Sequence, residues 1–244
     1  MFSLKRFSIL IITAVIIIST AAAQNNSKPA QSNSGNSKKE MSVEESYLQE
    51  SIEIMIIRET ARAYTREQKL IALEYINEAI DRGNTNDEIR QTLEFLSREG
   101  RMNQARENGR LMNNFPEVRR QSAKYLGKMG TEEARKSLLD ICSYENEPMV
   151  LQEAIKSLGD IGTNDNNDTV THIAWIMNRF NATNPDNLMA LATIDAFEKI
   201  ARKNNGISAP EVPKVLNLIA EGQYVTPVRE RARQCLAELR SYGK

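Results

Sequence analysis

The chain reads as an all-α protein, a solenoid of antiparallel helix pairs stacked one on the next. Three observations predict this. Apolar residues beyond position 42 recur at three- and four-residue steps, and no stretch alternates long enough for a strand. Helix starts and stops are marked by capping residues and glycines. A helix-sized segment also repeats at a fixed interval, the signature of a repeat architecture.

Residues 1–23 carry the order of a Sec signal peptide. Lys5 and Arg6 form a positive start, Ile9 to Ile18 an apolar run, and Ser19-Thr20-Ala21-Ala22-Ala23 the small residues of a cleavage site before Gln24. This predicts an exported protein, periplasmic or extracellular, that is soluble once cut after Ala23. The alternative is an uncleaved N-terminal anchor, for which Phe7 to Ala23 sits at the short limit of a span. Residues 24–41 are Gln, Asn, Ser, Lys, Gly and Pro with almost nothing apolar. Such a segment cannot offset its ordering entropy, so a linker is expected.

Helices begin at Ser42-Val43-Glu44-Glu45, a capping box. Thr65-Arg66-Glu67-Gln68 reads as a second, with Gly83 closing that helix. Asn86 or Thr85 opens the next, and Gly100 closes it. A third short helix is expected over Met102 to Met112. Residues 42–113 therefore form an N-terminal helical region, either degenerate repeats or a cap, and 114–244 carry the repeats, clear over 114–162 and weaker beyond.

The repeat runs from Phe115 to Gly130 and returns 32 residues later as Glu147 to Gly162. Pro116 matches Pro148, Val118 matches Val150, Leu126-Gly127 matches Leu158-Gly159, and Gly130-Thr131 matches Gly162-Thr163. Weaker copies align Met189, Ile194, Phe197 and Ile200, then Val228, Ala232, Leu236 and Leu239. Proline suits the first helical turn, where its missing N–H is not needed. Val118, Ser122 or Ala123, Leu126 and Met129 share one helical face. Gly127 and Gly159 lie inside their helices at a cost of about 1 kcal/mol relative to alanine, which close approach of a neighbouring helix would offset. Gly130 and Gly162 are placed to end the helix, and Thr131 and Thr163 to cap the next.

This P-x-V-R…A-x-x-L-G-x-x-G pattern resembles the HEAT-repeat (armadillo-type) family, and within it the short repeats of the bilin-lyase type. The resemblance implies first helices on the convex side, second helices on the concave side, and use as a binding scaffold. It places arginine at position 119, and Arg229 keeps it. Leu151 and Ala190 depart from it, so a charge ladder along the ridge is incomplete.

Composition narrows the chemistry. Losing Lys5 and Arg6 takes Lys plus Arg from 32 to 30 against 32 Asp plus Glu, a net charge near −2. A nucleic-acid binder would carry a basic field instead. His172 is the only histidine, and Cys142 and Cys235 lie 93 residues apart with no metal or redox spacing. No catalytic set and no cofactor or metal site is read from the sequence, so a non-enzyme is expected. Cys142 falls in step with Ala134 and Leu138, which places it on a buried face. Residues 98–128 are locally basic, an ordinary solvated surface or a patch for an acidic partner.

The helix over Asp168 to Phe180 is the most informative. Val170, Ile173, Ala174, Met177 and Phe180 complete one apolar face. His172, Trp175 and Arg179 share another at three- and four-residue steps. Tryptophan and arginine are enriched at binding hot spots. The candidate partner-binding set is His172, Trp175 and Arg179, with Arg135 and Leu139 of the helix Thr131 to Tyr144, facing the groove of the solenoid; the competing expectation is that Trp175 packs against the next repeat. The functional expectation is an exported adaptor for a protein of the cell envelope. Two alternatives stand beside it: an enzyme or accessory subunit like the bilin lyases, and a self-associating structural component.

Overall fold

The computed structural model describes residues 42–183 and 185–242. The signal-peptide and linker expectations fall outside them. Among the described residues the chain is ten α-helices and one two-stranded hairpin. α1 is Val43–Arg62, α2 Arg66–Asp81 and α3 Asp87–Ser97. The strands β1, Arg106–Glu107, and β2, Arg110–Leu111, follow. Then come α4 Pro116–Met129, α5 Glu132–Tyr144, α6 Pro148–Ile161, α7 Asp168–Thr183, α8 Asn187–Asn204, α9 Glu211–Glu221 and α10 Thr226–Ser241. No helix of the described residues is long and apolar enough to cross a membrane.

The helices pack as two rows. One runs α2, α4, α6, α8, α10, and the other α1, α3, α5, α7, α9; successive helices other than α6 and α7 pair across the rows. This is an all-α, HEAT-like solenoid. The apolar seam between the rows holds the expected repeat residues: Val118, Ala123, Leu126, Val150, Ile155, Leu158, Ile194, Phe197 and Ile200 are all buried.

The glycines inside α4 and α6 explain how neighbouring helices in one row approach so closely. A Cβ on Gly127 would lie 2.5 Å from the Ser157 side chain, and one on Gly159 would lie 2.7 Å from the Ala196 backbone. Each glycine gives up helix propensity and allows α4 to meet α6, and α6 to meet α8, nearly backbone to backbone. Gly130 and Gly162 end their helices in the left-handed conformation, at φ 69° and 71°.

The caps are local and mostly of the expected kind. Ser42 and Glu45 exchange the reciprocal bonds of a capping box. Thr65, Asn86 and Thr131 each accept the amide three residues on. Thr65 makes only this half of the expected box. Thr163 does not cap α7. A short 3₁₀ turn, Asp165–Asn167, intervenes, and the Asn164 side chain accepts the Val170 amide in its place.

The largest departure from expectation is the segment 102–112. It is not a helix. Arg106 pairs with Leu111 and Glu107 with Arg110 across a turn in which Asn108 and Gly109 both take positive φ, 48° and 80°. Asn-Gly is the residue pair that a two-residue hairpin turn demands.

A buried polar network fastens this hairpin to the helices. Lys69 Nζ lies 3.0 Å from Glu99 Oε2 and donates to the Ala61 carbonyl. Asn113 Nδ2 donates to Glu99 Oε1 at 2.7 Å and to the Asn103 carbonyl, while its Oδ1 accepts the Ala105 amide. Arg119 donates to Glu145 Oε2 at 2.7 Å, to the Glu99 carbonyl and to Asn114. Arg119 and Glu145 are 1% and 0% exposed, which makes this a fully desolvated ion pair. The Glu145 carboxylate is held further by the amides of Asn146 and Glu147.

Candidate functional site

The candidate surface is built on α7. Thr169, Val170, Ile173, Ala174, Ile176 and Met177 are buried and set the rotation of the helix. Thr169 Oγ1 donates to the Thr163 carbonyl, which fixes the entry of the helix. The remaining face turns Thr171, Trp175 and Asn178 to solvent.

Trp175 is 49% exposed. It is not a core residue: the seam is completed without it. The Arg179 guanidinium lies 4.7 Å from the indole centroid and 5.3 Å from the Phe180 ring, so it bridges two aromatic faces. Arg179 also donates to the Glu145 carbonyl at 3.0 Å. That bond ties the Trp175 platform to the end of α5 and to the buried ion pair beneath it. His172 Nδ1 lies 3.2 Å from both the carbonyl and the carboxylate of Asp168, one turn earlier. His172, Trp175 and Arg179 therefore share one face.

Arg135 and Leu139 do not belong to this surface. They are 4% and 8% exposed. Arg135 donates to both oxygens of Glu132, to Asp168 Oδ2 and to Thr169 Oγ1. The Glu132 contact raises its already high pKa and lowers that of Glu132. Its work is to clamp α5 to the start of α7. Leu139 faces inward with the seam, since the i+4 step from Arg135 follows the buried face of α5.

The closest helix approaches run along α4, α6 and α8, at the two glycines. Trp175 belongs to the other row, on an open face.

The basic stretch 98–128 does not form one patch. Arg98 pairs with Asp140, Lys128 with Asp81, and Arg119 is buried against Glu145. Arg101 donates to the Tyr144 carbonyl. Arg106 and Arg110 stay exposed on the hairpin. Cys142 and Cys235 are free and buried, and burial pushes both thiols up to about 12. The network around Glu145 was not foreseen from sequence. The one available signal was the family arginine at position 119, whose partner lies 26 residues away in sequence.

No curated protein matches the chain. A family model described as HEAT repeats matches residues 110–178, from the second hairpin strand through most of α7. The match is to HEAT repeats as such and does not single out the bilin-lyase type. This segment, which carries the glycine-packed helices and the Trp175 face, is similar to HEAT repeats.

Proposed function

We propose that this is an exported scaffold that binds a protein partner of the cell envelope through the exposed face of α7, and that binding rather than catalysis is its work. The observation that carries the reading is the placement of Trp175. A large aromatic is held half in solvent, stacked by Arg179 and anchored through it to the rigid end of α5. A pre-ordered aromatic on a rigid helix loses little side-chain entropy on binding, which is how hot spots arise. Buried thiols with raised pKa values are poor nucleophiles, and this supports a binding role. The order of residues 1–24 supports export.

Affinity capture from the native envelope with the whole chain as bait tests this reading, run in parallel with Trp175→Ala and with Lys136→Ala as an exposed control on α5. The expected result is a partner recovered by wild type and control and lost with Trp175→Ala. The loss in affinity should reach about 2 kcal/mol, the scale of a hot spot. An unchanged set of partners across all three baits would overturn the role of this face. Mass spectrometry of the native protein tests export separately: an N-terminus at Gln24 supports it, and one at Met1 replaces a released protein with an anchored one.

A further inference from the structure

Among the described residues, the second row begins with a helix that packs through one face. α1 meets α2 and α3 through Ile54, Ile57 and Ala61. Its opposite side carries Glu45, Leu48, Ile52, Met55, Glu59 and Arg62, spaced three, four, three, four and three residues apart. That is the spacing of a coiled-coil seam. Leu48, Ile52 and Met55 are between 46% and 64% exposed, and Ile56 beside them is 48% exposed. Aliphatic residues in an unbroken heptad line, with charge at both ends, form a surface built for another helix.

We infer that α1 is a self-association surface and that its occupant is α1 of a second copy, lying antiparallel. The charge pattern selects this occupant and this direction. The stripe opens on an acidic residue, Glu45, and closes on its one basic residue, Arg62, which follows Glu59 by one turn. In an antiparallel pair centred between Ile52 and Met55, each Ile52 meets the Met55 of the other copy. Each Leu48 then lies over Glu59, and each Glu45 reaches Arg62. Arg62 already lies 3.6 Å from Glu59 in its own helix, so the second copy's Glu45 would complete a three-charge cluster at each end. A parallel pair would set Glu45 against Glu45 and Arg62 against Arg62. A two-fold interface of this kind is closed and self-complementary, so it yields dimers and not filaments. The inference is independent of the partner proposed for α7, although a dimer would present two Trp175 faces and raise avidity for a clustered partner.

Sedimentation velocity of the whole purified chain across micromolar concentrations tests this. The wild type should pass from monomer to dimer. Ile52→Glu should weaken the dimer at least about thirtyfold with little change in the circular-dichroism melt, because Ile52 is 46% exposed and lies away from the packed face of α1. Glu45→Arg and Arg62→Glu should each weaken it, and the two changes combined should restore it. Restoration is specific to an antiparallel copy of the same helix. A chain that stays monomeric throughout overturns the inference, as does a dimer indifferent to Ile52→Glu or a charge swap that fails to restore. A monomer that Ile52→Glu releases from anionic vesicles would overturn it in favour of a membrane surface.

Discussion

Two regions of the molecule are held together differently. From α4 to α8 the seam is apolar, and the close contacts are made by glycine against serine and alanine. From α2 to β2 and the start of α4, the junction is held by Lys69, Glu99, Asn113, Arg119 and Glu145, all buried. The repeats can rely on shape because each unit meets a copy of itself, so one glycine per helix suffices along the row. The hairpin breaks that regularity. Its turn and flanking loop bring backbone amides and carbonyls inward, and these must be hydrogen-bonded once out of water. Buried charges supply the partners. The comparison teaches that the repeat array tolerates an irregular insert where a balanced polar network satisfies its backbone.

The sharpest way to break the comparison is to unbalance that network. Glu145→Ala leaves the Arg119 guanidinium buried without its carboxylate, and should cost about 3–5 kcal/mol in urea melts. A change below about 1 kcal/mol would show that water reaches the pair. In the repeats, Leu126→Ala and Leu158→Ala should each cost about 2–5 kcal/mol by leaving a cavity in the seam. Gly159→Ala should cost about 1–3 kcal/mol by overpacking against the Ala196 backbone, which cannot rotate aside. A neutral effect there would mean that α6 and α8 slide apart freely.

Two further measurements sharpen the contrast. Trp175→Ala should lower stability by less than about 1 kcal/mol, the scale of an exposed cation–π contact. The tryptophan emission of the native chain should be that of a partly solvated indole; a blue-shifted maximum together with a large loss of stability would return Trp175 to the core. The smallest effect concerns the thiols. Their folded pKa values stand above the ordinary 9.0, raised to about 12. The native state therefore holds these protons longer than the unfolded one. The thiols favour folding below their ordinary pKa, and that contribution is lost as pH rises from about 9 through about 12. Near neutral pH neither cysteine should react with a thiol reagent until denaturant is added, when both should react. Rapid labelling of the native protein would place a thiol at the surface.

Much of the solenoid was legible because its determinants are local. Ser42 with Glu45, Asn86, Thr131, Pro116, Pro148, Gly130 and Gly162 each act within a few residues of themselves, and each does so in the structure. The helix expected over Met102 to Met112 failed on a local signal that was present. Asn108-Gly109 marks a tight hairpin turn. Of the candidate surface, periodicity within α7 placed His172, Trp175 and Arg179 on one face. Periodicity alone could not assign Arg135 and Leu139. Whether a residue on one helix is covered depends on where the next helix lies.

The sequence by itself determined where helices start and stop, which face of each is apolar, and that neighbouring units repeat. Those properties follow from backbone geometry and side-chain spacing over one or two turns. Only the tertiary structure decided that Arg119 pairs with Glu145, that Arg135 is a clamp, and that the outer side of α1 stays exposed among the described residues. Burial and charge pairing are set by contacts between residues tens of positions apart. In a stack of near-identical helices, each spacing rule describes one helix and leaves open how its neighbours are placed.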